Sequence, residues 1–238
     1  MSSPASPQRS REWLLRTLAA ATFLIFFQAF MVAPLIPQLA HEFGSSTDLL
    51  GLAVPAYLVP YGAMTLLWGP LSDRIGRKRV ILGSAAGFVV LTALTALADG
   101  PRMFIAFRLL TALGASGVVP ISLALIGDVF PYERRGHALG WLFGAMAGGM
   151  AFGSSAGALL EPLIGWQGLF LGVAGLAAIV LVALTLRRSQ LQGGSALQRR
   201  SVGQIARGYF TLLRQQRARR TYGYVLINAV IHSGIYTW

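Results

Sequence analysis

Apolar residues in this chain gather into long unbroken runs instead of alternating with polar ones. They fall at about residues 17–40, 49–71, 80–98, 103–127, 137–160 and 168–186, and a further run extends from 222 to 238. Each is near the roughly 20 residues that a helix needs to cross the hydrocarbon core of a bilayer. Transmembrane β-strands would show shorter segments of alternating polarity. The pattern therefore predicts an all-α, polytopic membrane protein with six spans and the start of a seventh. The first run follows Arg9, Arg11 and Arg16, which is also how a secretory signal begins. No small-residue cleavage site follows it, Pro34 and Pro37 sit late in it, and five more runs come after, so it is expected to stay as a span.

Composition narrows the class further. Hydrophobic residues make up 55% of the chain and charged residues 12%, with a mean hydropathy of +0.61. So few charges cannot cover a globular surface, and so many apolar residues exclude disorder. A net charge of +12 and a pI near 11.3 would on their own suggest a nucleic-acid binder. The positions of the bases remove that support. Arg9, Arg11 and Arg16, then Arg74, Arg77, Lys78 and Arg79, then Arg134 and Arg135, and nine arginines between 187 and 220 make eighteen of the twenty bases. All lie on one face if the spans alternate, whereas the other face carries Glu42, Asp48, Asp99 and Glu161 with Arg102 near them. Cytoplasmic loops hold the excess of Lys and Arg. The N-terminus is therefore expected in the cytoplasm and the chain in the cytoplasmic (inner) membrane, multi-pass, with the lipid bilayer as partner and no nucleic acid.

This divides the chain into a cytoplasmic N-terminus (1–16), a six-helix transmembrane bundle (17–186), a hydrophilic cytoplasmic linker (187–221) and a seventh helix cut short (222–238). In the linker, Ile205, Tyr209, Leu212 and Leu213 recur at helical spacing beside Arg207, Arg214 and Arg217. A helix lying on an anionic lipid surface and a solvated basic loop both suit that pattern.

A weak internal repeat is present. Pro70, Leu71, Gly76 and the stretch 80–85 stand against Pro162, Leu163, Gly165 and the stretch 169–174. The register makes spans one to three repeat as four to six, and an odd number of helices per copy inverts the second copy in the membrane.

The loop between spans two and three carries the most specific residues: Gly69, Leu71, Asp73, Arg74, Gly76, Arg77 and Lys78. Gly76 permits a tight reversal, and Asp73 at the membrane surface needs a cation such as Arg74 or Arg77 to offset its charge. Residue types and spacing resemble the signature of the major facilitator superfamily at nearly every defined position. Span four adds Arg108, Gly114 and Gly117, similar to a second motif of that family, with Ala112 in place of a glycine. An arginine at a helix centre costs ~2.5–3.5 kcal/mol on insertion scales, so it should face a polar cavity or a partner, or else snorkel to the interface near Arg102. At the end of span four, Asp128, Pro131, Arg135 and Gly136 resemble the family's usual ending of that helix.

The resemblance implies a fold of six helices in a 3+3 inverted repeat, one half of a twelve-helix transporter. It also implies a conformational latch built from Gly69, Asp73, Arg74, Gly76, Arg77, Lys78 and Asp128, with Asp73 and Asp128 sharing Arg77. In proton-coupled members the span-four arginine is linked to proton transfer. Span five holds two rows of glycines, at 140, 144 and 148 and at 149, 153 and 157, which would let helices approach closely. Gly149, Gly153 and Gly157 overlay the antiporter motif of the drug–proton group, but Ser154 replaces its proline and Ala158 its last glycine.

Enzymatic alternatives fail on the same residues. Gly153, Ser155 and Gly157 match the spacing of a hydrolase nucleophile elbow, but that elbow needs a strand-to-helix turn and a nearby histidine. Here the site is mid-helix, and His41, His137 and His232 are scattered. With no cysteine and no phosphate-binding loop, no catalytic site, metal or cofactor is expected.

Within the spans almost no carboxylate is found. Gln28 stands where related efflux proteins often carry an acid, and it cannot carry a proton. Gln28, Tyr57, Asn228 and His232 join Arg108 as candidates for the proton and substrate pathway. For Gln28, Tyr57 and Asn228 ordinary hydrogen bonding between helices is the alternative. The expected function is proton-coupled efflux of drugs or metabolites by alternating access, with the proton as coupling ion, a small-molecule substrate, and the missing C-terminal six-helix half as partner. An uptake permease and a truncated, non-transporting membrane module are the alternatives.

Overall fold

The computed structural model describes residues 7–186, 188–191, 215–221, 223, 224 and 227. Residues 192–214, most of the seventh apolar run, and with them Asn228 and His232, lie outside the described residues. The chain divides into two units, Met1–Leu197 and Gln198–Trp238. In the second, residues 216–221 are helical.

The first unit is built from broken helices, and each break has a local cause. The first span, Ser10–Glu42, consists of α1 (Pro7–Phe30), a 3-10 turn (Ala33–Leu35) and α2 (Ile36–Glu42). Pro34 and Pro37 offer no N–H to the carbonyls one turn back, so α1 cannot continue through them. The second span opens at Ser46, whose hydroxyl accepts from Leu49 N at 3.2 Å, the usual role of serine at a helix start. It runs through α3 (Thr47–Gly51) and α4 (Pro55–Ile75). The third is α5 (Arg77–Thr95), and the fourth is α6 (Pro101–Ala115) followed by α7 (Val118–Val129).

Spans five and six form one element, α8 (Tyr132–Leu186), which breaks at Gly165 (φ 69°, ψ 165°). The chain reverses there. Before the break, Gly149, Gly153 and Gly157 lie in turn against Phe23, Phe27 and Met31. At the break Trp166 meets Glu42, and beyond it Ala177 has come back beside Ala21, Leu24 and Ile25. The expected sixth span is therefore present, and the interruption expected between 160 and 168 is a single glycine.

Packing follows the inverted repeat. Span one lies against five through the glycines of span five, two against four, and three against four and, at Ala85 and Phe88, beside Ala177 and Val180 of span six. Exchanging spans one to three with four to six carries the first pairing into the second and leaves that of three with six unchanged. Gly76 and Gly165, matched in the sequence repeat, both have positive φ (95° and 69°) at the corresponding reversals.

Glu42 ties the acidic end together. Its carboxylate accepts from Trp166 Nε1 at 2.8 Å and from Gln167 Nε2 at 3.2 Å. Beneath it Trp166, Phe43, Phe104 and Phe170 pack mostly edge to face, with centroids 5.6–6.4 Å apart. On the outside, Val59, Leu66, Val90, Phe152, Leu159, Leu163 and Ile179 are exposed. An apolar surface of that extent is normal against lipid and abnormal against water.

Candidate functional site

The last four carbonyls of a helix have no partner within it. In α1, Met31 N takes that of Phe27 at 2.9 Å. Arg108, seven residues into α6, takes two of the others. Its Nη2 donates to Ala29 O at 3.2 Å and its Nη1 to Gln28 O at 3.5 Å, while Nη1 also donates to Gln28 Oε1 at 2.7 Å. The proline break in span one thus supplies the acceptors that hold a guanidinium of span four. Arg108 does not snorkel: it and Gln28 are fully buried.

Span two closes the cluster. The guanidinium carbon of Arg108 lies 4.2 Å from the centroid of the Tyr57 ring, a cation–π geometry. One turn on, Tyr61 stacks on Tyr57 at 5.9 Å and 14°, and Phe26 meets Tyr61 edge-on at 6.0 Å. Three of the five expected pathway residues, Gln28, Tyr57 and Arg108, therefore come together. Tyr61 and the main-chain carbonyls are additions, and the recurrence of tyrosine four residues on was a signal for the first. For Gln28 the interhelical hydrogen bond is present, and its partner is the buried charge itself. The Tyr57 hydroxyl has no hydrogen-bond partner among the described residues.

At the basic end, Gly76 (φ 95°, ψ 133°) closes α4 by donating to Ser72 O at 2.8 Å and opens α5. Only glycine takes that conformation without strain. Arg77 then pairs with Asp128 at the end of α7, joining the third span to the fourth. The expected sharing of Arg77 by two acids does not form. Asp73 lies on the last turn of α4, exposed, whereas Arg77 starts a new helix beyond the left-handed glycine and turns toward α7. Arg77–Asp128 is the one ion pair among the described residues, so Arg74 and Lys78 also stand outside any pair. Gly69 has open space where a side chain would be.

The two glycine rows of span five differ. Gly149, Gly153 and Gly157 are buried against the backbone of span one. Gly140, Gly144 and Gly148 instead line an open groove of about 730 Å³, with Arg16, His137 and Trp141 around it. Ser155 donates to Ala151 O at 3.0 Å within the helix. A second polar bridge, not anticipated, runs from Trp68 Nε1 to Ser116 Oγ at 2.7 Å and joins span two to the break in span four.

The sequence matches the model of the Major Facilitator Superfamily over residues 18–238. The chain belongs to the major facilitator superfamily. This superfamily chain is thus a multi-pass membrane protein of a transporter family and not an enzyme. It is 33% identical over 151 residues to a chloramphenicol resistance protein of Pseudomonas aeruginosa, covering 62% of this chain and 36% of that one. It is 29% identical over 204 residues to the efflux pump radE of Floropilus chiversii, covering 83% and 38%. Its fold matches the crystal structure of a bacterial homolog of the human lysosomal transporter Spinster with a TM-score of 0.70 and 21% identity, over 90% of this chain and 49% of that one. This major facilitator chain spans less than half the length of each of these three proteins.

Proposed function

We propose that the complete protein is a proton-coupled exporter of small organic molecules across the cytoplasmic membrane, and that this chain supplies its N-terminal six-helix half. The N-terminus is cytoplasmic in this scheme, following the distribution of arginines. The observation that carries the proposal is the buried guanidinium of Arg108, held by Gln28, Ala29 and Tyr57 without any carboxylate. Burying such a charge within a span is costly, and a fold that is otherwise almost free of buried charge has reason to keep it only where it is used.

Alternating access requires the site to open to one side at a time. The Arg77–Asp128 pair holds spans three and four at the basic end, and the exposed Asp73 is free to engage the second half, which gives the latch its two parts. Gln28 and Tyr57 cannot shuttle a proton near neutral pH, so the titrating group is expected from the second half. Asn228 and His232 remain candidates for substrate contact there. The resistance and efflux names of the two relatives support the outward direction.

Inside-out vesicles from cells expressing the complete protein test this. A panel of labelled compounds should include at least one that accumulates in the lumen when the lumen is acidified, and nigericin should abolish the accumulation. Accumulation insensitive to nigericin would exclude proton coupling, flux out of the lumen would indicate uptake, and the absence of flux would support a non-transporting module.

A further inference from the structure

Four buried groups in the cluster around Arg108 have no hydrogen-bond partner among the described residues: Arg108 Nε, Gln28 Nε2, Tyr57 OH and Tyr61 OH. They belong to one contiguous set, because Gln28 and Tyr57 both touch the guanidinium and Tyr61 stacks on Tyr57. The two nitrogens can only donate, and the two hydroxyls have a proton to donate as well. The set therefore has more protons to donate than oxygens of its own to receive them. It also lacks negative charge, since the partners of the guanidinium are an amide oxygen, two carbonyls and an aromatic face.

One kind of ligand corrects both deficits. A carboxylate brings a negative charge and about four lone-pair positions, and its bonds to a guanidinium are stronger than neutral ones. A cationic ligand would be repelled by Arg108 and would leave all the donors unpaired. A neutral amide would satisfy part of the set and none of the charge. The rings of Phe26 and Tyr61 beside the cluster favour an aromatic body on the ligand. Gln28, Tyr57 and Arg108 are buried, and Tyr61 is the partly exposed member.

Resting on the transport role above, we propose that the cluster of Arg108, Gln28, Tyr57 and Tyr61 binds the carboxylate of small aromatic acids, so that the substrates of the transporter are organic anions.

Three probes of one shape and three charges decide the matter: benzoate, benzamide and benzyltrimethylammonium, each titrated onto the purified complete transporter in lipid nanodiscs. Benzoate should bind at least about tenfold more tightly than either of the others. Tyr61→Phe removes one hydroxyl and keeps the ring, and it should weaken benzoate about tenfold, the loss expected for one hydrogen bond to a charged group. Arg108→Lys keeps the charge but loses the fork, and should weaken it further. Should Arg108→Lys fail to fold, Tyr61→Phe and Gln28→Leu carry the test, with an unchanged unfolding midpoint of Tyr61→Phe as the control. Tighter binding of the cation, with that binding lost in Tyr61→Phe, would overturn the anion assignment and leave the site in place. Vesicle transport that persists while no probe responds to Tyr61→Phe or Gln28→Leu would overturn both the assignment and the site. Failure of benzoate to bind at millimolar concentration would also overturn the assignment.

Discussion

Gly153 offers the sharpest test of how spans one and five meet. A Cβ placed on it would lie 2.8 Å from Phe27 Cα and 2.9 Å from the carbonyl carbon of Phe27, and closer still to the carbonyl oxygen. All three are backbone atoms, so no side chain can rotate away, and the helices must separate by roughly half an ångström or more, an overpacking that typically costs ~1–3 kcal/mol. Gly149 and Gly157, one turn to either side, hold the same separation, so the retreat loosens their contacts as well. Against this, alanine gains about 0.5–1 kcal/mol over glycine in a helix. The net expectation for Gly153→Ala is a loss of about 1–2 kcal/mol. Gly144 provides the control, because it lies on the same helix and nothing comes within 4 Å of its Cβ position. Gly144→Ala should be neutral or stabilising by up to about 1 kcal/mol. Thermal unfolding of the complete protein in nanodiscs, followed by tryptophan fluorescence, should show a lower midpoint for the first and an equal or higher one for the second. Equal shifts in the two variants would refute the close approach of these helices.

The other consequences concern the two ends of the bundle. The Arg77 and Asp128 side chains are only 15% and 22% exposed, so a double-mutant cycle with Arg77→Ala and Asp128→Ala should return a coupling in unfolding free energy above the ~0.2–1 kcal/mol of fully exposed pairs. Asp73→Asn should leave that coupling unchanged and still reduce vesicle transport, since Asp73 stands outside the pair and is proposed to meet the second half. Gly76→Ala places a Cβ at φ 95° and should destabilise by ~1–3 kcal/mol, with Gly165→Ala at φ 69° doing the same in the matching reversal. Glu42→Ala leaves Trp166 Nε1 buried without an acceptor; a loss of ~1–3 kcal/mol is expected, with a shift in tryptophan emission.

The six spans, the reversal at Gly76 and the register of the repeat were legible because each depends on local residues: apolar length, a glycine between charges, and matched turns. The pairing of side chains across the bundle was not. Glu42 and Trp166 are 124 residues apart, and Arg108 and Gln28 are 80 apart. Each could be marked as unusual, but nothing in the chain says which will meet. The two glycine rows show the main physical obstacle. In a soluble helix the buried face is the apolar one, whereas in a membrane lipid and protein interior are equally apolar. The face bearing Gly149, Gly153 and Gly157 could therefore not be told from that bearing Gly140, Gly144 and Gly148. The acid cluster failed for a related reason. Asp73 and Arg77 are neighbours in sequence, but the left-handed Gly76 between them sends their helices in different directions.

Transport is proposed to take place at the buried cluster of spans one, two and four. The initial rate of pH-gradient-driven accumulation in inside-out vesicles, normalised to folded protein in the membrane, tests it with Arg108→Gln and Gln28→Leu. Both variants should lose at least about tenfold in rate, as expected from removing a hydrogen bond to a charged group. Rates within twofold of the unsubstituted protein in both variants would contradict it.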